Sequence, residues 1–172
     1  MTGEGARAVG PGLDPDTFRA VLSRFATGVT VVTTVADGVD HAMTANAFAS
    51  VSLEPLLVLV CVEKEARFHD AVIASGHWTV SVLGEEGRAA SSWFATRGRP
   101  LHGQMQRFEH SRSPITGAAV LACALAVVDA ATTAVHDAGD HSIVVGEVLA
   151  ARAGLAEARP LIYYRSRYRG LV

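Results

Sequence analysis

The chain has 172 residues, 49% of them hydrophobic and 19% charged, with a net charge of −2. That is the length of one domain with a real core, and the composition excludes a disordered chain. Acids and bases are interspersed without a basic stripe, which argues against a nucleic-acid or anionic-membrane partner.

Residues 1–13 carry Gly3, Gly5, Gly10, Pro11 and Gly12 and read as a disordered tail, leaving 14–172 as one domain. The N-terminus lacks the basic and apolar regions of a signal peptide. No run approaches the roughly 20 apolar residues that span a bilayer. Cys61 and Cys123 lie in apolar runs without a C-x-x-C pair, as reduced residues of a cytoplasmic protein do.

A helix is expected from Asp14-Pro15, with Asp as N-cap and Pro at the first helical position. Phe18, Val21, Leu22 and Phe25 share one face of it, and it should end near Gly28. The β-branched run Gly28–Val35 reads as a strand, and Asp37-Gly38 as the turn into a second. Pro55 precedes a third strand, Leu56–Val62. Arg67–Ser75 reads as a short helix closed by Gly76, Trp78–Leu83 as a strand and Glu85–Phe94 as a helix. Residues 97–116 read as a long loop, Ala118–Val135 as one long strand or two, and His136–Asp140 as a turn. Ser142–Ala151 and Pro160–Arg165 complete the strands. Six or seven strands against about three short helices, without regular alternation, favour a small antiparallel barrel over a doubly wound sheet.

The stretch Ala42–Ala71 holds three unlike pieces. From Ala42 to Ser52, alternation puts Thr44, Asn46, Phe48, Ser50 and Ser52 on one side and small apolar residues on the other. Leu56–Val62 has no polar residue, which suits a strand buried on both faces. Glu63, Lys64, Glu65 and Arg67 then place charges at its end. Such a set suits a polar, planar, anionic ligand, and it equally suits an ordinary half-solvated hairpin.

Several chemistries lack their motifs. There is no G-x-G-x-x-G, P-loop or G-x-S-x-G pattern. The seven histidines include no H-E-x-x-H, so no metal site is expected. What remains is chemistry in which a bound cofactor reacts and the protein holds it.

Six blocks in order carry a family resemblance: FATGVTVVTT (Phe25–Thr34), MTANAFASVSLEP (Met43–Pro55), LVLVCVEK (Leu57–Lys64), ARFHDA (Ala66–Ala71), HDAGDHSIVVGEV (His136–Val148) and PLIYYRSRYRGL (Pro160–Leu171). The chain resembles the flavin reductase-like family. The resemblance implies a mainly β fold, a six-stranded antiparallel Greek-key split β-barrel of the FMN-binding type with short flanking helices. It also implies NAD(P)H-dependent reduction of FMN or FAD, with NADH or NADPH as co-substrate, and delivery of reduced flavin to a separate monooxygenase. Homodimers are usual in the family.

By that resemblance Thr44, Ala45, Asn46, Ala47, Ser50 and Ser52 contact the flavin ring and ribityl chain. Cys61, Val62, Glu63, Lys64 and Arg67 match the segment at its phosphate end, where Lys64 and Arg67 offer cationic donors. The pattern departs at Glu65-Ala66, where many relatives carry small hydroxyl or acidic residues. Asp140 and His141 match the block beside the nicotinamide, with His141 as the catalytic candidate in a positioning or electrostatic role. Arg167 and Tyr168 are candidates to reach the pyridine nucleotide. A second reading keeps the fold but makes the protein a flavin-binding module that holds its flavin tightly.

Overall fold

A computed structural model of the chain describes Gly12, residues 14–154 and residues 158–171. Apart from Gly12, the stretch expected as a disordered tail lies outside the described residues.

Helix α1 (Pro15–Leu22) starts as its sequence dictates. Asp14 Oδ1 accepts from the N–H groups of Asp16 at 3.0 Å and Thr17 at 2.9 Å. It stops short of Gly28, and its apolar residues Phe18, Val21 and Leu22 stay half exposed. Strands β1 (Thr27–Gly28), β2 (Thr30–Ala36) and β3 (Val39–Ala45) follow. Asp37 (φ 51°) and Gly38 (φ 73°) form the two-residue β2–β3 turn, whose left-handed backbone matches strand twist. Then come β4 (Phe48–Leu53), β5 (Leu56–Glu63) and α2 (Arg67–Ser75), which Gly76 ends at φ 66°.

Strand β6 (His77–Leu83) leads through a short 3-10 turn into α3 (Arg88–Ala95). The segment expected as a long loop holds a second 3-10 turn, Gln104–Arg107, and β7 (His110–Arg112). The apolar run after Ala118 resolves into two strands, β8 (Ala119–Leu121) and β9 (Ala124–Ala138). Strand β10 (His141–Ala153) follows after only Gly139 and Asp140, and β11 (Ile162–Tyr164) and β12 (Arg167–Arg169) close the chain.

Seven strands form the main sheet in the order β3-β2-β6-β9-β10-β5-β4, with every pairing antiparallel. The sheet has seven strands rather than six because Ala42–Ser52 does not run as one strand. It breaks at Asn46-Ala47, and its halves become β3 and β4 at opposite edges. Crossing between edges within two residues brings β3 and β4 together and curls the sheet into a barrel, while the Cys61 N–H donating to Ala47 O at 3.0 Å extends the β4–β5 ladder into the link. The expected single polar face is therefore divided between two strands.

The doubly buried strand also differs from expectation. Only Val58, Val60 and Val62 of β5 are buried, because among the described residues no helix or strand packs over most of its outer face. Strands β2 and β6 are enclosed on both sides instead. Val32 points into a core with Val60, Trp78, Val80 and Val144, plugged by Phe68 and Val72 of α2. Val31 faces a second core, with Leu83, Leu121 and Phe94 of α3.

The free edge of β3 is covered by side chains from the segment after α3. Gln104 Nε2 donates to Asp40 O at 2.6 Å and Arg99 donates to Ala42 O, satisfying carbonyls that an edge strand leaves open. Among the described residues no helix is long and apolar enough to cross a membrane.

Candidate functional site

The covered edge of β3 forms one wall of a cleft of about 570 Å³. The end of β5 and the start of α2 form the opposite wall, and residues 94–101 close the side. The chain break at Asn46-Ala47 lies inside it, and the small side chains of Ala42, Ala45, Ala47, Ala66 and Ala95 let backbone approach a bound molecule closely.

Eight of the residues singled out by sequence line this cleft: Thr44, Ala45, Asn46, Ala47, Cys61, Glu63, Arg67 and His141. They come from three strands, the β3–β4 link and a helix, and the barrel closure gathers them. The rest lie elsewhere. Ser50 is exposed on β4, and Ser52 Oγ accepts from the Glu54 N–H in the β4–β5 turn. Val62 is buried in the barrel core. Lys64 Nζ turns to the β9–β10 turn, 3.0 Å from Asp137 Oδ1 and 2.6 Å from Gly139 O. Arg167 is exposed on β12.

Tyr168 stands one step behind the cleft. Its hydroxyl is 2.8 Å from Ser91 Oγ on α3, and Ser91 O accepts from Thr44 Oγ1 at 2.6 Å. Thr44 thus commits its hydroxyl proton to α3, and the C-terminal hairpin braces that same turn of helix.

Residues that sequence reasoning passed over complete the site: His41, Thr96, Arg97, Arg99, Leu101 and Gln104. The available signal was Arg97-Gly98-Arg99, two cations around a glycine, within a segment read simply as loop. Arg99 is tied down by donation to Thr96 O at 2.9 Å, to Gln104 Oε1 at 3.1 Å and to Ala42 O. Arg67 Nη2 donates to Arg99 O at 2.5 Å. Burial, and then the charge of Arg67, hold the Arg99 pKa below its usual value. Arg97 Nη2 reaches both oxygens of Glu63, at 2.6 and 2.8 Å.

Two histidines differ in setting. Burial, and then Arg67, push the His41 pKa down, and its Nδ1 is buried without a hydrogen-bond partner among the described residues. His141 is half exposed, with Nδ1 2.7 Å from Asp140 Oδ1. Accepting that bond, with the imidazole's charge second, keeps the Asp140 carboxyl below the usual range. Asp140 itself is exposed beside the cleft and orients the imidazole that lines it.

The donor set suits a planar molecule with an anionic tail. Small residues and main chain flank the break, Arg67 stands at the start of α2, and Arg97 and Arg99 stand on the closing segment. The flavin phosphate that the family resemblance implies meets these requirements.

A family model described as flavin reductase like domain matches residues 22–172. The chain is 39% identical over 171 residues to the reductase subunit HsaB of a flavin-dependent monooxygenase from Rhodococcus jostii, covering 99% of this chain and 85% of that protein. Among solved structures, BorF, the flavin reductase component of a bacterial two-component tryptophan halogenase, matches with TM-score 0.87 and 43% identity, over 92% of this chain and 98% of that one. The NADH:FAD oxidoreductase SgcE6 of Streptomyces globisporus, in complex with NAD and FAD fragments, matches with TM-score 0.90 and 34% identity, over 97% and 98% of the two chains.

Proposed function

The chain belongs to the flavin reductase like family, and from that membership we propose that it reduces flavin with NAD(P)H and passes reduced flavin to a separate monooxygenase. The observation that carries this reading is the cleft, where small residues, arginines and an oriented histidine converge. NADH is the expected reductant and FMN or FAD the expected flavin, by analogy with SgcE6, an NADH:FAD oxidoreductase.

The reaction moves hydride from the nicotinamide to N5 of the flavin, and needs stacked rings more than a strong acid or base. The protein's part is therefore to bind and orient. Main chain around Ala45, Asn46 and Ala47 would meet the ring edge and ribityl chain, and Cys61 would lie alongside. Arg67 would supply charge to the phosphate. His141, held by Asp140 at the rim, would set the position of the nicotinamide. Thr44, braced through Ser91 to Tyr168, would keep the wall of β3 fixed.

A homodimer is part of this reading. Partly exposed Leu57 and Leu59 face outward from β5, beside Val51, Leu53 and Leu56, which are 49%, 84% and 51% exposed. An apolar outer face on an edge hairpin favours burial against a second copy. Light scattering showing a monomer at micromolar concentration would remove this element. The thiols of Cys61 and Cys123 are free, which accords with a cytoplasmic setting.

The test is a steady-state assay crossing NADH and NADPH with FMN, FAD and riboflavin. Oxidation of a nucleotide that depends on added flavin is the expected result. A protein that retains flavin through dialysis and does not oxidise either nucleotide would instead be a flavin-binding module.

A further inference from the structure

The three arginines that line the cleft are held in different ways. Arg99 donates to two backbone carbonyls and to Gln104, so it is part of the wall. Arg67 donates to the Arg99 carbonyl. Arg97 is held through a carboxylate, that of Glu63, and its side chain is 77% exposed. Lys64, whose position in the sequence suggests a phosphate contact, is drawn off to Asp137 and Gly139 at another turn. Among the described residues, Arg97 is thus the cleft arginine whose hydrogen bonds go to an anion of the protein rather than to backbone carbonyls.

We propose that Arg97 reads the flavin phosphate and that Glu63 competes with the phosphate for it, so that flavin binding is a partner exchange at one guanidinium. The inference rests on the flavin reading of the cleft. A carboxylate and a phosphate both accept charge-assisted bonds from a guanidinium, so one can take the place of the other. An exposed arginine–carboxylate pair is weak, so the exchange costs little and lowers flavin affinity by a small factor. A reductase that must release its product gains from such a setting. Glu63 also pairs across the sheet with His141, so the exchange takes place beside the rim where nicotinamide would sit.

FMN and riboflavin differ only in the phosphate, and their dissociation constants, read from flavin fluorescence with the full chain, isolate the effect. Arg97→Ala should weaken FMN about tenfold while leaving riboflavin little changed, and Arg97→Lys should recover part of the preference. Glu63→Gln should tighten FMN about twofold to fivefold, and that gain should vanish when Arg97→Ala is also present. Equal weakening of both flavins by Arg97→Ala overturns the proposal, as does a Glu63→Gln gain that survives without Arg97. If the unaltered protein binds neither flavin, the reading of the cleft itself falls.

Discussion

The carboxylate of Asp140 lies 2.7 Å from Nδ1 of His141, at the two-residue turn joining β9 to β10. A carboxylate only accepts, so Nδ1 carries the proton and Nε2 is the nitrogen left for another partner. His141→Ala should lower kcat/KM for NADH about tenfold to a hundredfold, with a smaller change in flavin Kd. Asp140→Asn keeps an acceptor but removes the charge, and should cost less than about tenfold. Equal losses in flavin affinity and kcat/KM for His141→Ala would place that residue on the flavin rather than the nicotinamide.

His41 supplies a pH dependence. Its pKa lies below the ordinary 6.5 through burial and the charge of Arg67, so the folded protein takes up this proton later than the unfolded chain as pH falls. The stabilisation is complete above about pH 6.5 and is lost as pH drops toward the folded pKa. His41→Gln removes that slope. Thermal unfolding between about pH 7.5 and about pH 5.5 should show the unaltered protein losing more stability than the variant. Parallel profiles would mean that His41 is solvated.

Gly146 on β10 packs on Trp78. A Cβ at Gly146 would come within 2.6 Å of Trp78 Cζ2 and 3.1 Å of Ala130 Cβ. Trp78 is fully buried, so neither ring nor strand has room to shift. Gly146→Ala should therefore destabilise by about 1–3 kcal/mol, read as a lower urea midpoint. Trp78→Phe in the same chain should return part of the loss by clearing the contact.

Asp129 is fully buried on β9, where its carboxylate accepts from Thr79 Oγ1 at 2.6 Å and from Arg152 Nη1 at 2.7 Å. The Arg152 side chain is 39% exposed and has water available. Removing the two partners should therefore have unequal effects. Arg152→Ala leaves a buried charge unpaired and should cost about 3 kcal/mol, whereas Asp129→Asn leaves a solvated cation and should cost about 1 kcal/mol. Urea unfolding of both variants checks the order, and a larger loss for Asp129→Asn would contradict it.

Much of the local structure follows from the sequence by itself. The Asp14 cap, the Asp37-Gly38 turn and the Gly76 stop are each set by a backbone preference acting over a few residues. The six ordered blocks place the chain in its family, and eight of the residues they single out line the cleft. Tertiary structure decided what depends on distant partners. Alternation from Ala42 to Ser52 reads as one strand, since nothing within it reveals that its halves pair with β2 and β5 at opposite edges. The composition of Leu56–Val62 does not show which face its own chain will cover. Lys64 and Arg97 are the sharpest pair. Both are plausible phosphate ligands by charge, but Lys64 meets Asp137 across 73 residues and Arg97 meets Glu63 across 34. Periodicity and capping act locally, whereas these contacts exist only after the sheet has curled.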